Sequence, residues 1–188
     1  MTTNHIMLDL ETLATCSNAA VTSIGAIAFN PITGEINENT FHFNVLPKSS
    51  QEAGLVIDGG TVSWWLTQSK EAQDSMTRGQ IPLKAALTAF SRWLGDVCGS
   101  VGPQVWGNGS TFDNVILGNA YTAVGLPRPW SYRADNCYRT MKNVYSGVPF
   151  APFEGVKHNA VDDAMAQAKH LIKIYEHAGL ALLARQNA

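Results

Sequence analysis

Residues 5–12 read His5-Ile6-Met7-Leu8-Asp9-Leu10-Glu11-Thr12, and this stretch decides the fold class. His5–Leu10 is a short apolar run ending in acidic company, the pattern of a buried central strand whose C-terminal end reaches a site. Asp9 and Glu11 are separated by one residue, so on a strand both side chains leave the same face. Two carboxylates side by side on a core strand repel each other and lose hydration unless a cation sits between them. Taken alone, a D-x-E is more often a solvent-exposed strand end with two unrelated acids.

Outward from this strand, Val21–Asn30 is rich in β-branched and small residues. Pro31-Ile32-Thr33-Gly34 supplies turn chemistry, and Glu35–Val45 reads as the returning strand with Phe41, Phe43 and Val45 alternating. Three strands in series with tight turns make an antiparallel meander. The texture changes after Pro47. Thr61–Ser69 reads as a short helix, and Pro82–Val97 has apolar residues at helical spacing with Pro82 near its first turn. Gln104–Trp106 is a brief strand, Gly107–Ser110 a loop, and Phe112–Val124 a helix ended by Gly125 and Pro127. Residues 135–145 read as a further helix, and Ser146–Lys157 as a loop. Asn159–Ala178 is the clearest helix, with Asn159 as N-cap, Asp162 and Asp163 in the first turn and Gly179 just past the end. Strands first, then helices with one later strand, indicate an α/β fold with a mixed sheet. No internal repeat or linker interrupts residues 1–188, so a single domain is expected.

At 188 residues, with 45% hydrophobic and 15% charged, the chain is long enough to bury a full core without disulfides or structural metals. A net charge of −2 argues against a broad electrostatic grip on duplex nucleic acid. It is compatible with holding only the last few nucleotides of a strand, because bound metals invert the charge of an acidic cleft. Cys16, Cys98 and Cys137 are odd in number and far apart, which fits reduced thiols rather than a disulfide framework or zinc site. No signal peptide is visible, and no apolar run approaches the ~20 residues of a membrane span. A cytoplasmic location away from membranes is the expectation.

Two further motifs change the weight of the D-x-E. Asp113 opens a helix just after the strand 104–106, and an adjacent strand would deliver it to the edge where Asp9 lies. Its plain role is first-turn charge, worth a few tenths to ~1 kcal/mol. The preceding Trp106-Gly107-Asn108-Gly109 is a small-residue loop that lets a ligand approach the backbone. His158 and Asp163 have the most discriminating spacing. A histidine just before a helix and an acid in its first turn can face one cleft, the acid as metal ligand and the imidazole toward water. Asp162 next door is a decoy that serves the helix dipole.

Asp9/Glu11, Asp113 and His158/Asp163 match in order, spacing and residue type the D-x-E, central aspartate and H-x4-D motifs of the DEDDh 3′→5′ exonucleases, and the chain resembles that family. The DEDDy branch would place tyrosine where Asn159 stands. The wider wording, Trp64-Trp65-Leu66, Trp106-Gly107-Asn108-Gly109 and Phe112-Asp113, looks closest to the branch with phage and bacterial exodeoxyribonuclease-VIII-like and exoribonuclease-like proteins. The resemblance implies a ribonuclease-H-like fold, a mixed five-stranded sheet flanked by helices. It implies two Mg²⁺ or Mn²⁺ ions held by Asp9, Glu11, Asp113 and Asp163, with His158 as general base. It also implies a substrate with a free 3′ end, RNA or single-stranded DNA, and a homodimer. Leu10, Thr12, Asn108 and Phe112 are substrate-contact candidates by the same resemblance. Trp64 and Trp65 offer rings for base stacking, worth ~1–3 kcal/mol per base, although tryptophans in an amphipathic helix more often pack in the core. Arg139 and Lys142 are phosphate contacts or an ordinary solvated basic face. Two rival readings are a catalytically silent nucleic-acid-binding scaffold, which would have lost a metal ligand, and a nuclease acting on short oligonucleotides.

Overall fold

The computed structural model describes residues 3–179. Strand β1, His5–Thr12, pairs antiparallel with β2, Val21–Phe29, which pairs antiparallel with β3, Phe41–Asn44. On its other side β1 pairs parallel with β4, Gln104–Gly107, and β4 pairs parallel with β5, Asp135–Cys137. The sheet order β3-β2-β1-β4-β5 therefore places the D-x-E strand at the centre of a mixed five-stranded sheet.

Seven α-helices accompany these strands among the described residues: α1 Pro47–Glu52, α2 Gly59–Trp65, α3 Lys70–Thr77, α4 Leu83–Cys98, α5 Asp113–Ala123, α6 Tyr138–Val144 and α7 Ala160–His177. Alternation along β1 divides them between two cores. Ile6, Leu8 and Leu10 point into one with Leu87, Phe90, Ile116 and Leu117 from α4 and α5. Met7 points into the other with Ala164, Ala168 and Leu171 of α7. Asp9 and Glu11 continue the Met7 side, so both acids lie on the face that α7 covers.

One glycine lets α7 come that close. Gly25 stands opposite Asp9 in the β1–β2 register, and a Cβ there would sit 2.1 Å from the carbonyl carbon of Ala160. No side chain fits between the first turn of α7 and the sheet.

Some expected elements are corrected. The returning strand is shorter than Glu35–Val45: only Phe41–Asn44 forms β3, with an isolated bridge between Phe29 and Ile36. The side chain of Asn30 accepts from the amides of Ile32 and Thr33, an Asx-type turn that takes the chain out of the ladder. Phe43 is exposed rather than alternating into the core. Residues 135–145 split into β5 and α6, because pairing with β4 claims Asp135–Cys137 before the helix begins. The helix expected over Thr61–Ser69 runs Gly59–Trp65, capped by Asp58, and Ser69 instead caps the unanticipated α3. Pro82 is the N-cap of α4, next to its first turn as expected.

Gly25→Ala should cost more than about 3 kcal/mol or prevent folding, because backbone rather than a flexible side chain blocks the new methyl. Gly95→Ala is the control. It lies in α4 with nothing within 4 Å of its would-be Cβ, so it should stabilise by about 0.5–1 kcal/mol. Urea titrations of the two variants against the parent chain read both signs.

Candidate active site

The site is assembled at the C-terminal end of β1. The strand β4 stops opposite Leu8, so the next amide on that side of β1 has no strand partner. The carboxylate of Asp113, in the first turn of α5, takes it: Leu10 N–H donates to Asp113 Oδ1 at 3.3 Å. Gly107 makes the approach possible, since a Cβ there would lie 2.4 Å from Asn114 Oδ1 and 2.9 Å from Asp113 Cβ. The other oxygen of Asp113 is buried with no hydrogen-bond partner.

From the opposite side, the start of α7 brings His158, Asp163 and Gln167. Asn159 caps the helix by accepting from the amides of Val161 and Asp162. His158 is the one non-glycine residue with positive φ, 63°, among the described residues. In that left-handed conformation its amide donates to Asp163 Oδ2 at 2.8 Å. Donor atoms of Glu11, His158 and Asp163 all lie within 4.8 Å of one another, a possible metal-binding group. Asp9 accepts a 2.7 Å hydrogen bond from Gln167 Nε2.

The convergence has an electrostatic consequence. Burial pushes the Glu11 carboxyl up to about 8, with the neighbouring charges of Asp163 and Asp113 adding to it. Burial raises Asp9 well above the usual carboxylate range, helped by Asp113, Glu11 and Asp163. Burial also raises Asp113 to about 7 and lifts Asp163. The structure thus brings all five motif residues to one cleft. The oxygen-rich donor set and the orphaned oxygen of Asp113 fit a hard divalent cation.

The other candidates separate. Leu10, Thr12, Trp64, Trp65 and Phe112 line a pocket of about 480 Å³ that opens beside Glu11. Trp65 is core: it is buried, and its indole N–H donates to Thr12 O at 2.9 Å. Trp64 is 45% exposed, leaving a ring free at the pocket. Both rings meet His158 edge-on, with centroids 5.2 and 6.0 Å away. Asn108 lies in the loop after β4 and does not line that pocket; its carbonyl accepts from Arg139. Arg139 thereby braces the loop, and Lys142 sits over the ring of Tyr138. Asp162 accepts from Val156 N–H at 2.9 Å, and its charge adds to the rise of the Asp163 carboxyl. Sequence reading missed Gln167 and Asp58. The first stands four residues after Asp163 on the same helical face, a signal that was available; the second is an N-cap whose place in the pocket wall only tertiary packing sets.

No curated protein matches the chain. Among solved structures, the nuclease domain of 3′hExo, described as a DEDDh family member bound to rAMP, superposes with a TM-score of 0.62 at 17% identity, covering 92% of each chain. A 3′-exonuclease in a structure of 3′-end recognition of a histone mRNA stem-loop gives 0.62 at 16%, covering 92% of this chain and 81% of that one. Cell-death related nuclease 4 gives 0.56 at 14%, covering 92% and 64%. These likenesses establish the fold. Within the described residues no helix is long and apolar enough to cross a membrane. A family model described as the 3′-5′ exoribonuclease Rv2179c-like domain matches residues 4–175, on the exoribonuclease side of the branch the motifs resemble. The chain belongs to this family and is a 3′-5′ exonuclease.

Proposed function

We propose that the chain, as one domain, removes nucleoside monophosphates one at a time from the free 3′ end of RNA or single-stranded DNA, using two Mg²⁺ or Mn²⁺ ions. The observation that carries this reading is the convergence of Asp9, Glu11, Asp113 and Asp163 from three separate segments, with one buried carboxylate oxygen of Asp113 unpartnered. Bound ions would supply charge neutralisation at the attacking and leaving oxygens and make water acidic. Asp9, Glu11, Asp113 and Asp163 would hold the ions, with Asp9 at the centre of the set. His158, whose amide is tied to Asp163 and whose ring stands nearly perpendicular to those of Trp64 and Trp65, would take the proton from the attacking water. Leu10, Thr12, Phe112 and Trp64 form the walls against which the terminal nucleoside packs. Asn108 contributes through its loop, and Trp65 through its grip on Thr12 and His158. The resemblance also supports a homodimer, and sedimentation as a monomer at micromolar concentration would overturn that part. The deciding experiment is Mg²⁺-dependent digestion of matched 3′-tailed RNA and DNA, single- and double-stranded, with Asp9→Ala as control. Release of mononucleotides from the 3′ end by the parent chain alone is the expected result.

The raised carboxyls give a sign to the pH dependence of stability. Glu11 titrates near 8 and Asp113 near 7 in the folded protein, against about 4 in an unfolded chain. The folded state therefore holds more protons across this window, and stability falls as pH rises through it. Metal-free protein in EDTA should melt at progressively higher temperature as pH is lowered from 8 toward 6.5, above the range in which buried His5, held down to about 4, acts with the opposite sign. Excess Mg²⁺ should raise the melting temperature most at the alkaline end. A melting temperature in EDTA that climbs with pH over this range would contradict the cluster.

Metal binding and proton transfer should also come apart. His158→Ala should lose about 10²–10⁴-fold in rate, the usual worth of a positioned general base, while retaining Mn²⁺ affinity. Asp163→Ala should lose both. Mn²⁺ titrations beside single-turnover rates check this, and equal loss of metal affinity in the two variants would remove His158 from the role of base.

A further inference from the structure

The pocket beside Glu11 has an uneven supply of hydrogen-bonding groups. Its walls include the apolar and aromatic side chains of Leu10, Trp64, Trp65 and Phe112, which suit a flat nucleobase. Three of its donors are already spent within the protein. The hydroxyl of Thr12 donates to Ala14 O at 2.7 Å, that of Thr61 to Asp58 Oδ1 at 3.1 Å, and the indole N–H of Trp65 to Thr12 O. Asp58 also lines the pocket. Its Oδ1 accepts from Thr61 N–H at 2.8 Å, and those bonds from Thr61 hold its carboxyl below the usual range. It is therefore an acceptor without a proton to give, and a carboxylate has about four acceptor positions.

Its place in the fold points away from the reacting phosphate. The amide of Asp58 donates to Leu13 O at 2.7 Å, two residues past Glu11, or about 7 Å along an extended chain. On a nucleotide whose phosphate faces the carboxylate cleft, the polar atoms farthest from that phosphate are those on the edge of the base. We infer that Asp58 reads the terminal base, accepting from an exocyclic amino group and favouring adenine or cytosine over uracil, which carries a carbonyl oxygen at that position, at the 3′ end. This specificity rests on the exonuclease reading above.

The test uses a variant that preserves the helix cap. Asparagine caps as well as aspartate, so Asp58→Asn keeps α2 while turning an acceptor-only group into one that can donate. RNA oligonucleotides identical except for the last nucleotide are compared for first-step kcat/KM, with deoxy-terminated versions alongside. The parent chain should disfavour terminal uridine by about three- to tenfold, the scale of one hydrogen bond to a charged acceptor shared with water. In Asp58→Asn that ratio should collapse or invert. Binding of AMP, CMP, GMP and UMP, followed by tryptophan fluorescence in Mg²⁺, should show the same reversal and is independent of hydrolysis. A failure of the nuclease reading thus stays distinct from a failure of this one. An unchanged uridine ratio in Asp58→Asn overturns the inference. So does a change confined to the ribose-to-deoxyribose ratio, which would place the 2′-hydroxyl rather than the base against Asp58.

Discussion

Four carboxylates held within mutual repulsion are what the rest of this molecule is arranged around. Two unit charges 4.8 Å apart, the outer bound on the donor atoms of Glu11 and Asp163, repel by about 3 kcal/mol at the effective dielectric of a protein site. Asp9 and Asp113 add to that, and burial denies all of them water. Nothing local favours such a cluster, so the global fold must impose it. The imposition comes from a central strand paired on both sides, which cannot rotate Asp9 and Glu11 away from each other, and from two helix starts aimed at its end. Gln167 and the amides of Leu10 and His158 supply neutral or backbone donors that lessen the repulsion without adding a cation.

Close approach is the second constraint, and small residues set it. Gly25 lets the first turn of α7 rest on β2, while Gly107 lets Asp113 and Asn114 fold back over the end of β4. His158 solves a different problem. The chain must turn from loop into helix while presenting both its ring and its amide to the cleft, and the left-handed conformation that does so costs a side-chain-bearing residue about 1–2 kcal/mol. Asparagine, aspartate and glycine tolerate that conformation better, so histidine at this corner is consistent with its ring being needed there.

The parts of this arrangement that could be read from sequence are those with a short period. The same-face placement of Asp9 and Glu11 follows from strand alternation, and the Asn159 cap with Asp163 in the first turn follows from helix-start chemistry. Asp113 was legible because a strand, a glycine loop and an acid follow in order. The identity of β5 was not legible: Asp135-Asn136-Cys137 has no strand propensity, and only pairing with β4 makes it extended. The short helices α1 and α3 were missed for a related reason, since they are only six and eight residues long, polar in composition, and pack by one buried residue each, Ser50 and Ala72. Trp64 and Trp65 show the limit of composition. Adjacent in sequence and identical in type, both line the pocket and meet His158, but Trp65 is buried with its indole N–H spent on Thr12 O while Trp64 is half-exposed.

The chemistry and the recognition wall are not independent modules. Thr12 O receives the indole of Trp65, and Leu13 O receives the amide of Asp58, so α2 is stitched to the very segment that carries Glu11. Both bonds are made to backbone carbonyls just past the strand, where the β1–β2 register already shifts between Glu11 and Thr12. A displacement of α2 by a badly seated base is therefore felt one residue away from a ligand of the cleft. Trp64 and Trp65 extend the same linkage to His158 from the other side. Under the proposed function, this linkage would make hydrolysis depend on a properly seated terminal nucleotide, through packing and two backbone hydrogen bonds.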